Sequence, residues 1–117
     1  MKTILIVEDT EINIDLLTQL LEDDYKLLVA RDGAESIAIT ERSKPDLILM
    51  DISLPVMDGY EAARQIRQRY SSLPIIGLSA NAMKSDCEKA IAAGCTDYLT
   101  KPIDETVLMN KLREHLG

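Results

Sequence analysis

Pro45-Asp46-Leu47-Ile48-Leu49-Met50-Asp51 is a short run of bulky apolar residues that stops abruptly on a carboxylate. A continuous apolar run of this length reads as a strand buried on both faces, as in a parallel sheet. Ligands of open parallel sheets gather beyond the carboxyl ends of the strands, and Asp51 sits at that address. A lone aspartate after a strand can merely cap the next turn, but Asp51 has company. Thr3-Ile4-Leu5-Ile6-Val7 runs into Glu8-Asp9, Pro74-Ile75-Ile76-Gly77-Leu78 into Ser79, and Asp97-Tyr98-Leu99-Thr100 into Lys101-Pro102. Four apolar runs thus end in reactive polar groups.

Between these runs the period changes. Thr10 to Asp23 carries Ile12, Leu16, Leu17, Leu20 and Leu21 at helical spacing, which predicts a first helix with those residues inward. Tyr25 to Ala30 is a strand of mixed polarity, as befits an edge. Asp32-Gly33 marks a turn before Ala34, Ile37, Ala38 and Glu41 resume a helical period that Pro45 closes. After Asp51 comes a loop, Ile52 to Asp58, with Pro55 and Gly59 as turn markers. Tyr60 to Tyr70 then reads as a helix with Ala62, Ala63 and Ile66 inward and Arg64, Gln65 and Gln68 outward. A fourth helix spans about Lys84 to Ala93 and is stopped by Gly94. The last spans about Asp104 to Leu116, with Leu108 and Leu112 inward and acids at its N-terminus.

Five strands alternating with five helices predict an α/β domain over residues 1–117, a flavodoxin-like doubly wound five-stranded parallel sheet with helices on both faces. Strand order 2-1-3-4-5 places Glu8-Asp9 beside Asp51 at the switch point. Three carboxylates in one small pocket repel, since unit charges about 4 Å apart cost about 4 kcal/mol at an effective dielectric near 20. A divalent ion with oxygen ligands, the ammonium of Lys101, or both would offset this. Magnesium suits one or two carboxylates plus water and phosphate oxygens, whereas calcium wants a larger cage. A carboxylate beside such an ion can attack a phosphoryl group and hold it as an acyl phosphate, with Ser79 offering a hydroxyl to one phosphoryl oxygen.

Composition narrows the field. A chain of 117 residues is one domain, and with 46% hydrophobic but 3% aromatic residues its core is built from aliphatic side chains. A net charge of −7 leaves nothing to form a basic stripe, which argues against direct nucleic-acid binding. The chain enters a strand directly after Met1-Lys2, with no signal-peptide pattern and no apolar run near 18 residues, so no membrane contact and a cytoplasmic location are expected. Cys87 and Cys95 lack CxxC spacing and share the chain with one histidine, His115. Small buried thiols and a structural or neutral histidine are the expectation, against a zinc or redox site.

The acidic pair in Val7-Glu8-Asp9, the run Asp51-Ile52-Ser53-Leu54-Pro55-Val56-Met57-Asp58-Gly59, the triplet Ser79-Ala80-Asn81 and the run Tyr98-Leu99-Thr100-Lys101-Pro102 together resemble, over the whole chain, the receiver domains of two-component response regulators. The resemblance implies that Asp51 is the phosphoacceptor in a phosphorelay. It implies that Glu8, Asp9 and Asp51 bind Mg2+ together with the main-chain carbonyl of Ser53, and that Lys101 contacts the phosphoryl group. Ser79 and Tyr98 would be the switch pair, and the Lys101-Pro102 peptide is similar to one that is cis in the family. Ser53 and Asn81 lie where the family tunes phosphoryl hydrolysis. Ser79 stands where many relatives have Thr, and Thr96 where many have an acid; neither departure removes a site group.

The resemblance further implies a protein that is no enzyme toward other substrates and catalyses only its own phosphorylation and dephosphorylation. Its phosphoryl donor would be a phosphohistidine on a sensor histidine kinase or a histidine phosphotransfer protein, docked near the Asp51 crevice and the first helix. A downstream target protein, or a second copy of this chain in a homodimer, would read the surface of the fourth helix, fifth strand and fifth helix. With no effector domain the expected form is a free-standing shuttle, although Ala80-Asn81-Ala82-Met83 and Gly94-Cys95 look like receivers attached to hybrid kinases. The competing reading is an aspartate-nucleophile phosphatase, which usually carries a second Asp two residues after the nucleophile, where this chain has Ser53. A flavin or nucleotide module on the same fold would need a phosphate-cradling loop where Glu8-Asp9 would repel phosphate.

Overall fold

The computed structural model describes residues 1–52, 59–80 and 84–117, and for 84–86 the main chain alone. Strands β1 (Thr3–Val7), β2 (Lys26–Ala30), β3 (Leu47–Asp51), β4 (Ile75–Ser79) and β5 (Asp97–Thr100) alternate with helices α1 (Glu11–Leu21), α2 (Gly33–Ser43), α3 (Gly59–Arg69), α4 (Lys84–Ala92) and α5 (Glu105–Leu116). All neighbouring strands pair in parallel, in the order β2-β1-β3-β4-β5. This is the predicted topology, with the mixed-polarity strand at one edge.

The register explains the two-sided core. Side chains alternate along a strand, so Leu5, Val7, Ile48, Met50 and Ile75 face one way and pack under α2, α3 and α4 with Ile39, Ala62, Ala63, Ile66 and Ala90. Ile4, Ile6, Leu47, Leu49, Ile76 and Leu78 face the other way and pack under α1 and α5 with Leu17, Leu21, Leu108 and Leu112. Every residue of β3 and β4 is buried, which is why those runs are unbroken by polar residues until they end.

Two helix faces differ from the sequence reading. On α1 the buried residues are Ile14, Leu17 and Leu21, at spacings of three and four, with Leu20 partly packed; Ile12 and Leu16 stand 74% and 43% exposed. At about 100° per residue Ile12 lies roughly 200° from Ile14, so both cannot face the sheet. On α2 the buried positions are Gly33, Ser36, Ile39 and Thr40, while Ala34 and Ala38 are exposed. The two hydroxyls tolerate burial because each bonds within the helix, Ser36 Oγ donating to the Gly33 carbonyl at 2.6 Å and Thr40 Oγ1 to the Ser36 carbonyl at 2.7 Å.

The ends follow local chemistry. Asp32 and Asp104 accept the backbone N–H groups of Glu35 and Val107 and so cap α2 and α5. Lys44, at φ 46°, ends α2, and Gly94, at φ 112°, follows α4. Among the described residues no helix is long and apolar enough to cross a membrane.

Candidate functional site

The carboxyl ends of β1, β3, β4 and β5 meet at one pole of the sheet. Asp51 and Ser79 are the last residues of β3 and β4, and Glu8 and Lys101 each follow their strand by one residue. Ladder bonds hold these ends level: Glu8 N–H donates to the Ala30 carbonyl at 3.0 Å, Ile52 N–H to the Leu78 carbonyl at 3.1 Å, and Lys101 N–H to the Ser79 carbonyl at 2.7 Å. Glu8 is fully buried, Asp51 and Ser79 nearly so, and Asp9 is exposed. One carboxylate oxygen from each of Glu8, Asp9 and Asp51 lies within 4.8 Å of the other two.

Lys101 reaches back across two strands to this cluster. Its ammonium donates to Glu8 Oε2 at 3.0 Å and to Asp51 Oδ2 at 3.2 Å. Glu8 Oε1 accepts the Thr10 N–H at 3.3 Å. Burial raises Glu8 above the usual carboxylate range; the bond from Lys101 opposes this and the neighbouring Asp51 charge adds to it. Burial works to lower the Lys101 ammonium, but its bond to Glu8 and the charges of Asp51 and Glu8 outweigh that and hold it above its ordinary value. A single ammonium against three carboxylates leaves a net negative, all-oxygen donor set. Such a set fits a small divalent cation.

Gly59 closes the back of the site. A Cβ there would lie 2.3 Å from the Asp51 carbonyl oxygen and 2.4 Å from Ile52 Cα, and the Gly59 N–H donates to the Ile52 carbonyl at 3.3 Å. Its φ is not left-handed, since the positive-φ glycines are Gly94 and Gly117. The sequence reading took Gly59 for a turn marker; the structure gives close backbone approach behind Asp51 as the reason.

Tyr98 is half-buried on β5, opposite Gly77 of β4, and the Ser79–Thr100 pairing two positions on places Tyr98 and Ser79 on one sheet face. Its phenol is held above its ordinary value by interaction with the neighbouring Cys87 side chain on α4 and by the negative charge Cys87 carries when ionised. Cys95 is buried as expected, whereas Cys87 is half-buried. The Lys101-Pro102 peptide is cis. The expected contribution of the Ser53 carbonyl lies outside the described residues, as do Pro55, Asp58 and Asn81.

A cavity of about 110 Å³ adjoins the cluster, walled by Leu16, Leu17 and Asn13 of α1 and by Pro102 and Ile103 beyond β5, with Glu8 and Lys101 at its edge. Sequence periodicity misassigned this wall, because Leu16 was read as core. The usable signal was that α1 carries more apolar residues than one helical face can bury.

This arrangement is shared with known proteins. The response regulator receiver domain family matches residues 4–113. The polar-differentiation response regulator DivK of Brucella anthropi is 35% identical over 119 residues, covering 99% of this chain and 97% of its own. The receiver domain of sensor histidine kinase PA1611 from Pseudomonas aeruginosa, solved with a magnesium ion coordinated in its active-site cleft, is 39% identical with a TM-score of 0.92, covering 99% of this chain and 98% of its own. The receiver domain of Ssk1 from Saccharomyces cerevisiae, crystallised with the histidine phosphotransfer protein Ypd1, is 35% identical with a TM-score of 0.92, covering 97% of this chain and 88% of its own. With its acidic pocket, strand order and nearly full-length match, the chain belongs to the response regulator receiver domains of two-component signalling systems.

Proposed function

We propose that residues 1–117 act as one phosphoacceptor domain in which Asp51 takes a phosphoryl group from a phosphohistidine on a sensor histidine kinase or histidine phosphotransfer protein. The observation that carries this is the bridge of Lys101 between Glu8 and Asp51 inside a three-carboxylate pocket. In the transfer, a carboxylate oxygen of Asp51 forms a bond to phosphorus as the P–N bond breaks, and the donor imidazole leaves with the electron pair. Lys101 would follow the charge onto the phosphoryl oxygens, and the Ser79 hydroxyl, at the end of the adjacent strand, would hydrogen-bond one of them. Glu8, Asp9 and Asp51, with the Ser53 carbonyl from the family resemblance, would hold Mg2+. Bound there, the ion supplies positive charge to a phosphoryl group whose transition state spreads negative charge over three oxygens. The magnesium-bearing PA1611 receiver supports this assignment.

The donor reads the rim of this pole. Ile12 and Leu16 are exposed apolar residues of α1, Leu16 on the wall of the cavity that ends on Glu8 and Lys101, and the Ssk1 receiver, crystallised with a phosphotransfer protein, supports a donor of that kind. A target protein or a second copy of the chain reads α4, β5 and α5, where Ile91 and Val107 are exposed and Tyr98 is half-buried. The Ser79–Tyr98 pair couples the two surfaces, and the protein works in the cytoplasm, catalysing only its own phosphorylation and dephosphorylation. The phosphatase reading is disfavoured by Ser53 in place of an acid and by the receiver match along the chain.

The test is phosphorylation by a small phosphodonor with and without Mg2+. Wild type is expected to acquire one acid-stable, hydroxylamine-labile phosphoryl group that requires Mg2+, and Asp51→Asn none. Label on Ser79 or His115, or equal labelling of Asp51→Asn, would refute the assignment.

A further inference from the structure

The pole of the sheet opposite Asp51 carries a second convergence of ligating groups. Asp97, which opens β5, meets Glu114 and His115 in the last turn of α5, and one ligand atom from each lies within 4.8 Å of the other two. His115 Nε2 is 3.4 Å from Asp97 Oδ2. The other carboxylate oxygen, Oδ1, accepts the Tyr98 N–H at 2.8 Å, which fixes the carboxylate plane and turns Oδ2 toward His115.

A cation already occupies this position. The Lys111 ammonium lies 2.8 Å from Asp97 Oδ2, and the side chains of Lys111, Asp97 and His115 are all shielded to about a quarter exposure or less. The C-terminal end of a helix favours positive charge, and both Glu114 and His115 sit on that end of α5. His115 also lines an open groove with Ser71 and Thr96, so small solutes can reach its ring.

We propose that Asp97, Glu114 and His115 form a zinc-class metal site, separate from the acidic pocket around Asp51. One imidazole nitrogen and two carboxylate oxygens are ligands of Zn2+, which completes its shell with water in sites of three protein ligands. The all-oxygen Glu8, Asp9 and Asp51 set suits magnesium instead, so the two poles differ in metal preference. To bind, the ion displaces Lys111 from Oδ2. It would then tie the end of α5 to the start of β5.

His115 is the only histidine, so its ring resonances report on this site alone. Zn2+ titrated into the full chain, with excess Mg2+ present, is expected to shift those resonances saturably at one ion per chain. Asp97→Asn and the exposed Glu114→Gln should each weaken binding, the former by about tenfold or more. Lys111→Met should tighten it, because the competing ammonium is gone. The proposal is overturned if Zn2+ leaves the His115 ring unmoved up to millimolar concentration. It is equally overturned if both acidic variants bind as wild type does, if Lys111→Met binds more weakly, or if Cys87→Ser abolishes the effect.

Discussion

The Lys101 ammonium sits between Glu8 Oε2 at 3.0 Å and Asp51 Oδ2 at 3.2 Å, joining residues that follow β1, end β3 and follow β5. Glu8 has no exposure, so removing the ammonium strands a buried carboxylate beside another. The burial of Glu8 argues for a cost in stability. Lys101→Ala should lose about 2 kcal/mol, below the 3–5 kcal/mol of fully buried pairs because water reaches Lys101. Mg2+ should restore part of this, giving a larger magnesium-dependent rise in Tm than in wild type. Signalling should fail even when the fold is restored. Equal Tm shifts in both proteins would show that the bridge and the ion do not share the same charge.

Gly59 makes a separate claim on the same strand end. A methyl group there meets backbone atoms of Asp51 and Ile52, neither of which can rotate away as a side chain tip could. Gly59→Ala should therefore cost at least about 3 kcal/mol in urea denaturation and slow phosphorylation of Asp51, since relief of the overlap moves the acceptor strand. A Gly→Ala cost of about 1 kcal/mol or less, with normal phosphorylation, would mean that the backbone approach is looser than the structure has it.

The parts of the fold that the sequence displays are those where one residue carries its own reason. Leu47 to Met50 must be apolar because both sheet faces are covered, and Asp51 ends the run because its neighbours there are the polar groups of Glu8 and Lys101. Glu8, Ser79 and Lys101 could be placed for the same cause. Hidden were features whose reason lies in a distant segment. The Arg67 guanidinium donates to the carbonyls of Gly94, Tyr70 and Ser71 and to Thr96 Oγ1, stapling the end of α3 to the turn before β5. Burial lowers its pKa, and nothing in the helical period around Arg67 marks it out, since its partners are mostly backbone carbonyls. The inward face of α1 was misread because Ile12 and Leu16 are apolar for a reason other than the core.

Cys95 provides a pH test of that core. Burial pushes its thiol from an ordinary value of 9.0 up to about 11, opposed weakly by the Arg67 charge. Above about pH 9 the unfolded chain gives up this proton while the folded chain keeps it to about 11, so the unfolded state binds fewer protons and stability falls as pH rises through that window. Two pH units correspond to roughly 3 kcal/mol. Denaturation of wild type and Cys95→Ala from pH 8 upward should show the steeper decline in wild type. At neutral pH, iodoacetamide should modify the half-buried Cys87 and spare Cys95 until the protein unfolds. Parallel declines in the two proteins would mean that Cys95 ionises without penalty.

Ser79 and Tyr98 give the sharpest test of signalling. Ser79 ends β4 almost fully buried beside Asp51's strand, and Tyr98 lies on the neighbouring strand, on the same sheet face, with its hydroxyl against Cys87 of α4. In the proposed switch, a phosphoryl group on Asp51 would offer the Ser79 hydroxyl a charged acceptor, and movement of that hydroxyl would open space toward Tyr98. On the proposed reading, the Ser79 hydroxyl assists transfer but is indispensable only for communication to α4, β5 and α5. Ser79→Ala should therefore still accept phosphate at Asp51 while losing most of the phosphorylation-dependent gain in target affinity, a coupling of about 1–3 kcal/mol, or roughly 5- to 150-fold. Titrating target against phosphorylated and unphosphorylated protein, in wild type and Ser79→Ala, measures that ratio in both. A ratio undiminished in the variant would place the coupling elsewhere, and loss of phosphorylation itself would move Ser79 from the switch to the transfer step.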